Sequence, residues 1–515
     1  MVFVTFCHQK VSKINPTIGM SSKKSTLSKS TLIRSIQCSK SLYLYKNHYN
    51  LRDKADITQQ QKFDRGHRVG LLAHQLFPGG KDCSPPNPFS YDASIAATKL
   101  LVQQRFPIVY EAAFKYNGIM AALDILECRE GKWYAYEVKS SFRISNTYLL
   151  DATIQYYIIT RSGVVLDDFS LVTINNDYEL GDELDVQHFF KKTSVLSDIL
   201  ERIPFVEKTI EEAIATLDSP SIPDISIGAH CTKPYPCDFQ GYCWKNLEKD
   251  SIWYLPGVSM QEKSLFVERG ITTIHQIDNT EELNARQKVI IESFQLQQPH
   301  IRRELLQQFI EPIHYPLYYF DVEAFQPAVP LFKGSKPYER IPFLYSLHYK
   351  ESADTPLEHY SYISPVGDDD RIPFIEQFLK DTERAGNILV FNTLMEKSIL
   401  FRLSADFPDY KKELLQRIHR IIDVEIPFKE LYYYHPAQQG SFSLKSIGNA
   451  MLGKDEFSSS RVKDGEEAMA VYNELFYTNH PSEIPEKLQQ LKTYCRTDTY
   501  VLYEIFERLK QLVLL

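Results

Sequence analysis

The sequence predicts an α/β protein in which two domains are joined by a short helical connector. At 515 residues the chain exceeds the roughly 250–300 residues at which a single hydrophobic core stops growing. Two separate groups of apolar strand-like segments carry acidic residues near their ends, and a cluster of cysteines follows the first group. The predicted segments are a basic tail over residues 1–24, an α/β domain over 25–250, a helical connector over 251–312 and a second α/β domain over 313–515.

The composition excludes several classes of protein. Hydrophobic residues make up 43% of the chain and charged residues 24%, which is the balance of an ordinary globular protein. No apolar run reaches the roughly 18 residues of a transmembrane helix, and no basic region precedes the first apolar stretch as in a secretory signal. We therefore expect a cytoplasmic protein with no membrane partner, whose translation starts at Met1 or at Met20.

The charge distribution limits how nucleic acid can be bound. The formal net charge is −8, so that any contact with phosphates must use local basic patches. Residues 1–54 contain ten Lys or Arg and a single acid, Asp53. This segment is either a solvated basic tail or a phosphate-binding arm.

Acidic residues interrupt or end three apolar segments between residues 108 and 138, which we predict to be strands. Asp124 lies within the second segment, while Glu137 and Lys139 end the third and share one face because strand side chains alternate. Glu111 lies on the first segment. Two carboxylates and a lysine are suited to holding Mg²⁺ or Mn²⁺ and to activating water at a phosphate. The alternative is that these charged residues lie at the ends of strands and have no function.

A predicted helix that follows adds Asp151 and Gln155, which share a face at i, i+4 spacing. The pattern resembles the RecB-like branch of the PD-(D/E)xK nucleases over residues 28–244, which implies a restriction-endonuclease-like fold. That family often places a histidine in an early helix. His67 and His74 fit it only in a shifted register and are expected to be surface or core histidines. The resemblance assigns catalysis to Asp124, Glu137, Lys139 and Gln155, and metal binding to the two acids among them.

Three of the eight cysteines lie near the end of the first domain at C-x(5)-C-x(5)-C spacing: Cys231, Cys237 and Cys243. Cys38 is the best candidate for a fourth ligand, whereas Cys495 and the remaining cysteines are predicted to be ordinary thiols. Spacing alone leaves a zinc site and an iron–sulfur cluster both open. One cysteine before and three after the nuclease core resembles the RecB-like nucleases of CRISPR adaptation and of helicase complexes. This resemblance implies a [4Fe–4S] cluster that joins the two ends of the domain.

The segment over residues 251–312 is predicted to be a helical connector. Residues 255–258 and 270–274 resemble the two halves of a helix–hairpin–helix. Short helices that simply pack around glycine turns are the alternative.

A second set of acidic residues appears in the last 200 residues or so. Asp321 and Glu323 end an apolar strand on one face, and Glu396 follows a second buried strand. Tyr494 and Asp498 share a helix face at i, i+4 spacing. Four carboxylates can hold two Mg²⁺ or Mn²⁺ ions that clamp the attacking and leaving oxygens of a phosphodiester, with the tyrosine orienting the water.

This second set resembles the tyrosine-type DEDD exonucleases of the DnaQ-like group over residues 315–512. The resemblance implies a ribonuclease-H-like fold and 3′–5′ exonuclease activity. Glu396 stands where the family usually has aspartate. Asp423 is an accessory acid that either assists the site or caps a strand end.

The whole chain resembles an uncharacterised bacterial family that joins these two kinds of nuclease domain, with matching segments at residues 27–38 and 440–445. The predicted function is metal-dependent hydrolysis of DNA, exonucleolytic, in repair or defence, with a helicase or repair protein as a further partner. Two alternatives stay open. The first is a nucleic-acid-binding module in which one or both sites are inactive, and the second is an RNA-processing exonuclease.

Overall fold

The computed structural model describes residues 27–54, 57–87, 90–277, 283–458, 460–477 and 480–514. The predicted basic tail over 1–24 and Met20 lie outside these residues. The protein is mixed α/β, with one seven-stranded sheet, one five-stranded sheet and helices packed on both. The α/β class is therefore confirmed, while the two finer fold assignments stay predictions. No helix in the described part of the chain is long and apolar enough to cross a membrane.

The first sheet has the strand order β2-β3-β4-β5-β6-β7, and β1 pairs in parallel with β4. Its strands are β1 (Leu27–Ser28), β2 (Lys81–Asp82), β3 (Ile108–Tyr116), β4 (Ile119–Arg129), β5 (Lys132–Lys139), β6 (Leu166–Ile174) and β7 (Phe190–Ser194). The associated helices are α1 (Lys29–Gln37), α2 (Ser39–Asn47), α3 (Ile57–Ala73), α4 (Asp92–Gln103), α5 (Asn146–Arg161), α6 (Val186–Phe189), α7 (Leu196–Asp218) and α8 (Gln240–Trp244). The three strands predicted between residues 108 and 138 form β3, β4 and β5, an antiparallel meander.

The connecting region is largely helical and pairs with the part of the chain that follows it. It contains α9 (Met260–Glu268), α10 (Ala285–Leu296), β8 (His300–Ile301) and α11 (Arg303–Ile310). The short strand β8 pairs with β14 (Tyr433–Tyr434), and Leu306 of α11 belongs to the same hydrophobic core as Leu317.

The second sheet has the order β11-β10-β9-β12-β13. Its strands are β9 (Leu317–Phe325), β10 (Ile341–Lys350), β11 (Glu358–Ile363), β12 (Asn387–Val390) and β13 (Ile421–Asp423). Its helices are α12 (Arg371–Asp381), α13 (Thr393–Asp406), α14 (Lys411–His419), α15 (Ile426–Lys429), α16 (Leu444–Leu452), α17 (Gly465–Leu475) and α18 (Ile484–Leu514). The central strand β9 is apolar except at its two acidic positions, and every residue of it other than Asp321 is buried, as expected where helices cover both sides of a sheet.

Candidate metal centre

The carboxylates of Asp321, Glu323 and Asp498 converge in the second half of the chain. Asp321 and Glu323 project from the same face of β9, and Asp498 approaches that face from the long helix α18. One oxygen from each of the three side chains lies within 4.8 Å of the other two. Three carboxylate oxygens at this separation form a ligand set that Mg²⁺ or Mn²⁺ prefers. The sequence grouped these three residues correctly.

The electrostatics of this cluster favour a bound cation. Burial raises the pKa of Asp321 to about 6. Burial also raises the pKa values of Glu323 and Asp498 well above their ordinary range, and the charge of Asp321 adds to the shift in both. Charged carboxylates that are desolvated and close to one another repel, so that the cluster resists ionisation. A divalent cation between them would relieve that repulsion.

Glu396 lies at the edge of this cluster, in the first turn of α13. Its side chain is buried, and its Oε2 atom has no hydrogen-bond partner among the described residues. Burial raises its pKa well above the ordinary value, and the neighbouring charge of Asp321 raises it further. A buried carboxylate oxygen without a partner is costly unless something outside the chain satisfies it. Glu396 therefore fits the predicted role of a fourth ligand.

Asp423, whose role the sequence left open, caps the backbone that leads into α13. Its Oδ1 accepts the N–H of Asn392 at 3.0 Å, and its Oδ2 accepts the N–H of Thr393 at 3.2 Å. Asn392 has a positive φ of 71°, an uncommon conformation for a residue other than glycine. Asp423 thus holds the turn that places Glu396, which is the capping role that the sequence allowed for it.

Tyr494 and Cys495 of α18 also face the cluster. Tyr494 is buried beside Asp498, and burial together with that carboxylate raises the pKa of its hydroxyl far above 10, so that it stays protonated. Cys495 donates from Sγ to Oδ2 of Asp321 at 3.1 Å. The sequence predicted Tyr494 at the site, but it treated Cys495 as an ordinary thiol.

Two basic residues near the cluster were missed by the sequence reasoning. Lys445 is close enough to Asp498 to favour its charged form, and Arg340 does the same for Glu396. Lys445 ends the segment 440–445 that carried part of the family resemblance, so a signal for it was present. Arg340 had no such signal.

The predicted amino-terminal site is also brought together, but its carboxylates contact protein groups. Gln155 donates from Nε2 to Oε2 of Glu137 at 2.7 Å, and Lys139 donates to its Oε1 at 2.8 Å. Asp124 accepts the backbone N–H of Val138 at 2.6 Å. Within the described part of the chain, Asp321, Glu323 and Asp498 form the only group of three or more possible ligands whose atoms all lie within 4.8 Å.

Lys29, at the start of α1, is the residue that sequence reasoning missed in this site. Its Nζ lies 2.8 Å from Oε1 of Glu137 and 3.2 Å from Oδ2 of Asp151. Although burial opposes ionisation, Lys139 and Lys29 together hold the pKa of Glu137 below its ordinary value. For Asp124, burial and the charge of Glu137 raise the pKa well above the ordinary value.

Glu111, His67 and His74 are the remaining residues that the sequence singled out in the amino-terminal domain. Burial, with the charge of Glu137, raises the pKa of Glu111 to about 7, and its backbone has a positive φ of 51°. The ring of His74 stacks on Tyr110 with 3.8 Å between the centroids, whereas His67 is exposed. The expected packing and surface roles of the histidines agree with these positions.

The four predicted cysteine ligands line one small cavity. Cys38 lies between α1 and α2, and Cys231, Cys237 and Cys243 come from the segment that contains α8. Burial raises the pKa of the Cys38, Cys231 and Cys243 thiols, and neighbouring thiols add to each shift. Among the described residues, no three of these sulfurs lie within 4.8 Å of one another. The arrangement leaves the choice between iron–sulfur and zinc open.

Salt bridges hold the two chain segments of this cavity together. Arg34 donates to both oxygens of Asp238, at 2.5 and 3.0 Å, and Arg52 donates to Oδ2 of the same residue at 2.6 Å. Gln37 donates to the carbonyl of His230 at 2.8 Å. Salt bridges and a hydrogen bond thus attach the cysteine segment to the amino-terminal segment, independently of the cysteines.

Comparison with known proteins adds one partial match. No curated protein matches the sequence. A family model described as a domain of unknown function, DUF2779, matches residues 318–443, about a quarter of the chain. The matched segment contains Asp321, Glu323 and Glu396 but ends before Tyr494 and Asp498.

Proposed function

We propose that the protein is a metal-dependent nuclease whose carboxy-terminal site hydrolyses phosphodiester bonds in DNA. The observation that carries this proposal is the convergence of Asp321, Glu323 and Asp498 within 4.8 Å, beside an oxygen of Glu396 that has no partner in the described part of the chain. Strongly perturbed pKa values in a cluster of buried carboxylates are characteristic of functional sites. A protected cluster of this kind, built on a sheet and two helices, is suited to phosphoryl chemistry.

The roles of the side chains follow from their positions. Asp321, Glu323 and Asp498 would hold the cation, with Glu396 completing the set. A bound Mg²⁺ or Mn²⁺ polarises the phosphate and makes a nucleophile of its water. The protonated hydroxyl of Tyr494 orients that water from beside Asp498. Lys445, whose charge acts on Asp498, would supply positive charge near the place where negative charge develops on the phosphate.

The sequence resemblance supports the more specific part of the proposal. The order D-x-E, N-x-x-x-E and Y-x-x-x-D, with each motif on the expected strand or helix, resembles the DEDD exonucleases. We therefore propose 3′–5′ exonuclease action on DNA, in repair or defence. RNA is the alternative substrate.

A specific observation favours a second function for the amino-terminal site, which is nucleic-acid binding without hydrolysis. Both oxygens of Glu137 are engaged by protein groups, Oε1 by Lys29 and Lys139 and Oε2 by Gln155. Cleavage at this site requires Lys29 to leave Glu137 so that a cation can bind Glu137 and Asp124. If it does not leave, the site cannot hold a cation, and the domain would contribute to nucleic-acid binding without hydrolysis.

We further propose that the four cysteines hold a [4Fe–4S] cluster, with zinc as the alternative. The supporting observation is that Cys38, Cys231, Cys237 and Cys243 line one cavity although up to 205 positions separate them in the sequence. A cluster there would tie the first helices to the end of the amino-terminal domain.

The proposal is tested by incubating the protein with labelled single- and double-stranded DNA and RNA, in Mg²⁺, in Mn²⁺ and in EDTA. We expect stepwise release of mononucleotides from DNA that EDTA abolishes. Asp124→Ala should retain that release and Asp321→Asn should lose it. Hydrolysis of none of the four substrates, by a protein that still binds Mn²⁺, would overturn the proposed function. If Asp124→Ala abolished the release of mononucleotides, catalysis would lie at the amino-terminal site, contrary to the proposal.

A further inference from the structure

A cleft of about 320 Å³ lies between the two halves of the chain. Helix α3 lines one side, and the segment 326–331 together with α17 lines the other. Its volume is at the lower end of the range of small-molecule sites, about 300–1,000 Å³. The two walls are also joined directly, because Gln61 of α3 donates a hydrogen bond to the carbonyl of Ala470 in α17.

The α3 wall of this cleft is positively charged. Lys62, Arg65 and Arg68 follow one another at intervals of three residues, so they project from neighbouring positions on the helix. None of these three has a carboxylate partner within the described residues, and Glu466 is the single acid among the residues that line the cleft. In a chain of net charge −8, such a group of cations is the kind of local patch that nucleic-acid binding requires.

Among the described residues, two buried polar atoms of the cleft have no hydrogen-bond partner. They are Nε of Arg65 and Oδ1 of Asn473, one donor and one acceptor from opposite walls. Buried polar groups are nearly always hydrogen-bonded, so these two atoms leave the hydrogen bonding of the cleft incomplete. The guanidinium of Arg65 also lies 5.2 Å from the ring centre of Tyr338, and that of Arg68 lies 4.0 Å from the ring centre of Tyr477. Tyr477 is 42% exposed, which leaves ring surface for another planar group.

The cleft borders both acidic sites. Gln326 directly follows β9, which carries Asp321 and Glu323. Gly465, beside Glu466 of the cleft, lies so close to the metal centre that a side-chain carbon there would be 3.5 Å from Oε2 of Glu323. On the other side, the hydroxyl of Tyr338 donates a hydrogen bond to the carbonyl of Ser140, which follows Lys139.

We propose that this cleft binds a single-stranded stretch of nucleic acid that lies between the two acidic sites. Its phosphates would contact Lys62, Arg65 and Arg68, and a base would stack on Tyr477. Stacking on an exposed aromatic ring requires an unpaired base, which favours a single strand over a duplex. The inference rests on the proposed nuclease function and names the path by which a strand reaches the metal centre.

The test is fluorescence anisotropy of a labelled oligothymidylate of about ten nucleotides, measured in EDTA so that no cleavage occurs. Arg65→Ala with Arg68→Ala should weaken binding by at least about tenfold. The same change should lower the slope of log K against log salt by about 1.4, because each lost single-strand phosphate contact contributes about 0.7. The matched control, Lys411→Ala with Lys412→Ala, removes two exposed charges from α14 and should bind as the wild type does.

A charge-conserving variant guards against a change in folding. Arg65→Lys with Arg68→Lys should keep the wild-type salt slope while losing part of the affinity. Wild-type affinity and slope in the double alanine variant would overturn the proposed cleft. Binding of thymidine 5′-monophosphate as tight as that of the oligonucleotide would also overturn it, because the ligand would then be a free nucleotide. Binding is measured without metal, so the two proposals can fail separately. A wild type that binds the oligonucleotide but hydrolyses no substrate would refute the nuclease proposal and leave the proposed cleft standing.

Discussion

Asp321→Asn should stabilise the metal-free protein, because the wild-type metal centre opposes folding when no cation is present. Burial raises the pKa of Asp321 to about 6, against an ordinary value of 3.8. A carboxylate whose folded-state pKa is raised destabilises the protein fully above that pKa. The penalty declines as the pH falls through 6 and the group becomes protonated. Asparagine keeps the shape and removes the charge.

The size of the effect follows from the shift in the pKa of Asp321. A gap of about two pKa units corresponds to about 3 kcal/mol of destabilisation at pH 8. Between pH 8 and pH 5 the wild type should recover roughly half of this as Asp321 protonates. The advantage of Asp321→Asn should therefore be largest at pH 8 and shrink toward pH 5. Relief of repulsion on Glu323 and Asp498 acts in the same direction.

The assay is urea unfolding of wild type and variant in EDTA, repeated at pH 8 and pH 5. The comparison between the two proteins cancels the contributions of buried histidines, such as His348, which act in the opposite direction in this range. The transition to follow is the one that Mg²⁺ moves to higher urea in the wild type, since binding stabilises the domain that carries the site. Asp354→Asn removes an exposed acid and is the control. A variant that is less stable than the wild type at pH 8 would refute the electrostatic account.

Three further predictions concern individual ligands and the tyrosine. Glu396→Asp shortens the fourth ligand by one methylene and should slow nucleotide release by about a hundredfold, the typical effect of a displacement near 1 Å; an unchanged or faster rate would show that the longer side chain is not adapted to the pocket. Tyr494→Phe removes only the hydroxyl that orients water and should cost about a hundredfold in rate with little change in metal affinity. Cys237→Ser should remove the brown colour and the iron from anaerobically purified protein and lower the unfolding temperature of the amino-terminal domain, whereas stoichiometric zinc in the wild type would rule out the iron–sulfur cluster.

Much of the fold follows from local sequence patterns. The apolar segments between residues 108 and 138 and the strand before Asp321 were predicted because strand periodicity and burial are local properties. The pairing of β1 with β4, and the two-residue strands β2 and β8, were not predicted. Such short strands exist only because distant segments supply their hydrogen bonds, and no local periodicity marks them.

The candidate sites show the same division between local and distant information. Alternation along β9 and i, i+4 spacing along α18 were enough to group Asp321 and Glu323 on one face and Tyr494 and Asp498 on another. Lys29 could not be predicted at the amino-terminal site, because it lies 108 positions from Glu137 and approaches it only when α1 packs beside the sheet. The contact of Cys495 with Asp321 likewise depends on how α18 crosses β9.

The most direct test of the metal centre is the rate of mononucleotide release by Asp321→Asn, measured in a protein that already carries Asp124→Ala. Removing Asp124 excludes any contribution from the amino-terminal site. We expect release to be slower by about a thousandfold, because loss of a metal ligand raises the barrier by several kcal/mol. An unchanged rate in the double variant would contradict catalysis by the carboxylates of Asp321, Glu323 and Asp498.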